Sequence, residues 1–190
     1  MIIRGESSAL VRRIAGEFPG GSIALVGPVF SGLEDRLRDL IARCGNVHHF
    51  GPQPYAGLGS YVAGMDVCLI PLLRTPLRRV ASRPNKLYEY ASVGKPIVTM
   101  RYSDDMDPLA DMIYLSEDAD EFVENCRAAV ERGAGGDDIH ARVSIPAMGI
   151  AGRLTPFTAD VVPATAAITC VKEPGYRPAS LRADLGAGER

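Results

Sequence analysis

The sequence predicts an α/β fold, a Rossmann-like parallel sheet flanked by helices with an irregular tail behind it. Three observations predict it. Compact apolar runs alternate with stretches of helical apolar spacing from Ser7 to Glu131. The compact runs are apolar at successive positions rather than every second one, as strands covered on both faces must be. Glycine and proline punctuate nearly every junction.

Each element follows in order. From Ser7 to Glu17 apolar residues recur at Leu10, Val11, Ile14 and Phe18, which makes one helix face, and Pro19-Gly20-Gly21 stops it. Ser22 to Val26 reads as a buried strand released at Gly27-Pro28. Leu33, Leu37, Leu40 and Ile41 form the next helix face, with charges between them, closed by Cys44-Gly45-Asn46. Val47 to Phe50 is a short strand ending at Gly51-Pro52. Tyr55 to Met65 reads as a helix weakened by Gly57 and Gly59, and Asp66 to Leu72 is the third strand.

Pro84 suits a first helical turn, and Asn85 to Ser92 continues it with Leu87, Tyr88 and Ala91 on one side until Gly94. Ile97 to Met100 is the fourth strand and Met112 to Leu115 the fifth. Asp118 to Glu131 is a helix with an acidic start, its inner face Phe122, Val123, Cys126, Ala129 and Val130. Strands alternating with helices call for a parallel sheet over residues 1–132. Residues 133–190 show no sustained period and are expected to be irregular or disordered; Val161 to Val171 could pair, but Pro163 argues against a central strand.

Composition narrows the partners. With 190 residues, 46% apolar, 23% charged and a formal charge of -2, the chain reads as a globular protein with no expectation of nucleic acid. No run is long enough to span a membrane and the N-terminus has no secretory signal, so a cytoplasmic protein is expected. Cys44, Cys68, Cys126 and Cys170 are too scattered for a disulfide framework or a zinc site.

Chemistry in such a sheet gathers at the carboxyl ends of the strands, where loops and helix N-termini expose backbone N–H groups. Three loops qualify: Gly27-Pro28-Val29, Gly51-Pro52-Gln53, and the segment from Arg74 to Pro84. The last carries Arg74, Arg78, Arg79 and Arg83, with Lys86 inside the following helix. A helix N-terminus supplies about half a positive charge, so with Lys86 and Ser82 a diphosphate is a fitting ligand. Glu89 could accept hydrogen bonds from vicinal hydroxyls such as a ribose offers. A solvated basic surface and an ordinary Lys86–Glu89 helix pair explain the same residues, and spacing alone decides nothing.

The run from Asn46 to Met100 adds a resemblance. NVHHFGPQPYAGLGSYVAGMDVCLIPL followed by SRPNKLYEYASVGKPIVTM resembles the C-terminal, donor-binding half of GT-B fold glycosyltransferases of the retaining family four. The ordered features are a strand ending in F-x-G, a Tyr-led helix, a D-V-x-L-x-P strand, a basic loop, and a P-x-K-x-x-E-Y helix ending in G-K-P-I-V. Weaker similarity runs from Ser7 to Glu131. The resemblance implies a UDP- or GDP-sugar donor, no further cofactor or metal, and a saccharide or lipid-linked acceptor. It implies that Glu89 holds the ribose, that Ser82, Asn85, Lys86 and Leu87 face the diphosphate or sugar, and that Gly27 and Gly51 border the nucleotide.

The chain departs from that family in three places. Where the family often has two glutamates separated by seven intervening residues, Glu89 stands at the second position and Ala81 at the first. The family's N-terminal acceptor domain is expected to be encoded separately or lost, and with it the catalytic groups, which leaves an inactive remnant or a nucleotide-binding module as the competing reading. The family's closing helix carries a Trp, and this chain has none. Because Met148-Gly149 is encoded ATG-GGN, the next reading frame contains TGG there, and a frameshift near Arg142 is expected. A flavodoxin-like signalling domain fits the alternation but leaves 46–100 unexplained.

Other candidates read more plainly. His48 and His49 point to opposite faces of a strand, one inward and one outward. Asp104, Asp105, Asp107 and Asp111 read as an acidic loop rather than a metal site, Cys68 as core, and Tyr55 and Tyr61 as packing residues.

Overall fold

The structure, a computed structural model, describes residues 5–72, 85–102, 104–134 and 168–172. Twelve elements follow one another there: α1 (Gly5–Glu17), β1 (Ser22–Val26), α2 (Glu34–Arg43), β2 (Val47–His49), α3 (Tyr55–Ala63), β3 (Val67–Ile70), α4 (Asn85–Ser92), β4 (Ile97–Met100), a 3₁₀ turn (Asp104–Leu109), β5 (Tyr114–Ser116), α5 (Ala119–Ala134) and β6 (Ile168–Lys172). The α/β, Rossmann-like architecture is the one the sequence predicts.

Local chemistry explains the boundaries. Helix α2 opens with Glu34 and Asp35 and closes with Arg43, each charge opposing the helix dipole at its own end. Asp118, expected as the first residue of α5, caps it instead: its Oδ1 accepts the N–H groups of Asp120 and Glu121 at 2.9 Å each, and Glu121 returns a bond to the N–H of Glu117. β5 sits two residues later at its start than Met112, because Met112 and Ile113 close a turn on Leu109.

The sheet order is β2-β1-β6-β3-β4-β5. β1 pairs β2 in parallel, with Ile23 opposite Val47, and β3, β4 and β5 form a second parallel block. Strand β6 joins the blocks, antiparallel to both, with Cys170 opposite Ala24 on one side and Cys68 on the other. Two expectations are corrected here: the sheet is not parallel throughout, and 168–172 is a central strand rather than irregular tail. Pro163 does not forbid it, since the strand begins five residues further on and every position in it has an N–H to give. The stretch 142–154, on which the reading-frame expectation rests, lies outside the described residues.

Helices cover both faces. On one, Leu10, Val11 and Ile14 of α1, Leu37 and Leu40 of α2, and Phe122 and Cys126 of α5 share a core with Ile23, Leu25, Leu69 and Val98. On the other, Leu58 and Val62 of α3 and Leu87 and Tyr90 of α4 pack with Val26, Cys68, Ile70 and Ile97. Cys126 is buried so fully that its thiol is pushed up to about 12, which keeps it protonated and inert. Exposed ion pairs tie α1 to α5, Arg13 to Asp120 and Arg127 to Glu17, both at 2.5 Å. Pairs this open to water contribute little to stability.

Candidate functional site

The tips of β1 and β2 are stitched together by main chain. After Val26 the chain turns at Gly27 with φ 127, and after Phe50 at Gly51 with φ 61, both left-handed conformations that favour glycine. Gly27 N donates to Gly51 O at 2.7 Å, and Phe50 N donates to Leu25 O at 2.9 Å. His49 lies 2.8 Å from the Gly27 carbonyl and donates to it through Nε2. His49 is therefore the half-buried member of the pair and His48 the exposed one. Gly27→Ala should destabilise the fold by about 1–3 kcal/mol, since a side chain is forced into a region reserved for glycine; urea denaturation measures it.

From Gly51 the chain passes Gln53, whose Nε2 donates to Phe50 O at 2.7 Å, and enters α3 at Tyr55. Tyr61, one helix face away, packs its ring 6.2 Å from Phe50, as a packing residue should. Tyr55 is the more open of the two, at 44% exposed. Its phenol is held above the usual range by partial burial and by the negative charge of Glu89. That coupling links the β2 side of the site to α4.

Helix α4 sorts its residues by depth. Leu87 and Tyr90 are fully buried and Ala91 nearly so, while Lys86 and Glu89, one turn apart, are only partly covered. Burial pushes the Lys86 ammonium down to about 8, against the pull of Glu89. Burial likewise raises the Glu89 carboxyl, against the pull of Lys86. Lys86 is the more deeply desolvated of the two, and each draws on the other's charge.

Of the residues picked from sequence, Gly27 and Gly51 come together, and Lys86 comes together with Glu89. Leu87 has its side chain in the core, so its contribution is limited to the N–H of the first helical turn. Asn85 opens α4, and Ser82 and the arginines of the preceding loop lie outside the described residues. Of the acidic residues after β4, Asp107 pairs with Arg101, as does Glu117, and no group of His, Cys, Asp and Glu among the described residues could hold a metal.

Sequence reading missed Ser7. Its hydroxyl, buried, donates to the carbonyl of Pro71 at 3.1 Å, directly beyond the end of β3. This pins the first turn of α1 to the carboxyl edge of the sheet, on the same rim as the Gly27 and Gly51 turns. The signal available was order alone, a helix standing ahead of the first strand with its N-terminal residues unexplained by core packing.

No family model matches the chain and no curated protein matches it. Solved structures do. HepE from Anabaena in complex with UDP superposes with a TM-score of 0.56 at 16% identity, covering 78% of this chain and 42% of that one. WaaG, a glycosyltransferase involved in lipopolysaccharide biosynthesis, gives 0.53 at 15%, covering 79% and 40%. The likeness is one of fold, and the chain spans about two fifths of each of those proteins. No helix among the described residues is long and apolar enough to cross a membrane.

Proposed function

We propose that this chain is the donor-binding half of a GT-B glycosyltransferase of the retaining, family-four type, taking a UDP- or GDP-sugar and serving transfer to a saccharide or lipid-linked acceptor. The observation that carries the reading is the half-buried Lys86–Glu89 pair in the first two turns of α4, coupled electrostatically to Tyr55 close beyond the Gly51 turn. The fold shared with a UDP-bound protein supports it.

The chemistry follows from the charges. A departing nucleoside diphosphate is stabilised by cations and by unpaired N–H groups already aimed at it, and the α4 N-terminus with Lys86 supplies both without reorganisation. Glu89 is suited to take the ribose hydroxyls, being an acceptor partly stripped of water. The residues of this site serve donor binding; acceptor binding and the remaining catalytic groups lie elsewhere in the enzyme. A nucleotide-binding module without transfer activity is the second reading.

Calorimetry of the full chain with UDP, GDP and ADP tests the site, and heat with none of the three rejects both readings. The pH profile is a sharper check. Protonated Lys86 attracts the diphosphate, so UDP affinity should fall as pH rises through about 8. Folding stability should move the other way. The unfolded lysine, at 10.5, holds its proton where the folded one has lost it, so stability gains as pH rises from about 8 to 10.5. Titration and thermal melts across this window read the two opposing slopes, and a Lys86→Met variant should flatten both.

A further inference from the structure

The cysteines are scattered in sequence, but the register of the sheet brings two of them together. Strand β6 sets Cys170 directly opposite Cys68 of β3, over a hundred residues away along the chain. Successive residues of a strand turn their main-chain groups to alternate edges, so each residue bonds one neighbouring strand only. Cys68 N donates to Pro96 O at 2.8 Å, on the β4 side, which leaves Val67 and Leu69 to bond β6. Ile23 N donates to Asn46 O and Leu25 O accepts from Phe50 N, both on the β2 side, which leaves Ala24 and Val26 to bond β6. Cys170, opposite Ala24, therefore gives its main-chain groups to β1 and has none for β3. Cys68 and Cys170 are thus a non-hydrogen-bonded antiparallel pair, the closer of the two kinds, with Cα atoms about 4.5 Å apart. Residues so opposed share one face of a sheet. A disulfide spans Cα atoms about 4.4–6.8 Å apart.

We propose that Cys68 and Cys170 are a disulfide-forming pair, closed when the chain folds in the presence of a small-molecule disulfide such as oxidised glutathione. One cysteine thiolate attacks the glutathione disulfide and forms a mixed disulfide, releasing one glutathione thiolate. The second cysteine thiolate then attacks the protein sulfur, the Cys68–Cys170 bond forms, and the second glutathione leaves. Two electrons pass from the cysteines to glutathione, and the two cysteine protons end on the two glutathione thiols. Cys68 has no exposed surface in the folded chain, so the exchange takes place before α3 and α4 close over it. The bond therefore records the redox conditions under which the chain folded. Placement selects the partners: Cys44 and Cys126 belong to the core on the opposite face of the sheet, and the residue across from Cys170 on β1 is Ala24. Lys86 and Glu89 take no part, so the pair stands apart from the nucleotide reading.

Refolding of the full chain tests the pair. The reduced, urea-unfolded chain is refolded with a mixture of reduced and oxidised glutathione, and in parallel with reduced glutathione alone. Remaining thiols are then blocked under denaturing conditions and the digested fragments are identified by mass spectrometry. The expected result in the mixture is a fragment linked through Cys68 and Cys170 in most molecules, with Cys44 and Cys126 blocked as thiols. Because the bond closes a loop of over a hundred residues, the linked chain should melt about 10 °C above the reduced one. Cys170→Ser should show no such rise between the two buffers, and Cys44→Ser should keep it. The linked fragment is read on the parent chain, so the result stands whether or not a variant folds. Cys68 and Cys170 blocked separately in the mixture overturn the proposal. So does linkage to Cys44 or Cys126 as frequent as linkage to each other, or an equal rise in Cys170→Ser.

Discussion

Phe122→Ala is expected to destabilise the chain by about 3–5 kcal/mol, the range for emptying a fully buried aromatic site, and to lower the melting temperature by roughly 10 °C or more. Phe122 is the first fully buried residue of α5 and has no exposed surface. It belongs to the core shared by α1, α2 and α5, which lies against Leu69, Val98 and Met100 of the sheet. With three helices and a sheet around it, the cavity cannot collapse by moving any one of them. Phe122→Leu, which keeps most of the volume, should lose well under half as much. Chemical denaturation of both variants checks the pair. Equal losses would mean that the site relaxes and that α5 is not anchored there.

Glu89→Gln is expected to weaken UDP binding by about 10- to 100-fold, the equivalent of losing charge-assisted hydrogen bonds worth roughly 1.5–3 kcal/mol. The variant keeps the side-chain shape and removes the negative charge. Folding should lose some stability, because the buried Lys86 ammonium is left without its counter-charge. The ribose assignment has its own control: 2′-deoxy-UDP should bind the parent chain more weakly than UDP does, while Glu89→Gln should scarcely distinguish the two. A variant that still discriminates would move the sugar away from α4. The pH slope assigned to Lys86 should move to lower pH in the variant, since the Glu89 charge holds the Lys86 ammonium up.

The parts of this fold that were legible in the sequence are those where one physical constraint dominates. SIALV and VCLI are apolar at nearly every position because both faces are covered, and no other short element needs that pattern. The Leu37–Leu40 face of α2 stands out between charges. Strand β6 was obscured because its neighbours in sequence carry no period and its partners lie over a hundred residues away. ITCVK means little until β1 and β3 are already in place. In the site, the glycine turns and the Lys86–Glu89 spacing were visible. The depth of each residue was not: Leu87 belongs inside and Tyr55 outside, and both depend on how the helix is rotated against the sheet rather than on the residues themselves.

The seam between Val26 and Ile168, with Ser22 against Lys172 at its other end, also dictates a timetable. During synthesis β1 and β3 leave the ribosome long before their common neighbour exists. Until then each presents a bare row of donors and acceptors along one side. Closing so wide a gap in sequence is slow, so the nascent chain spends its youth as two unfinished ribbons, open to whichever strand reaches them first.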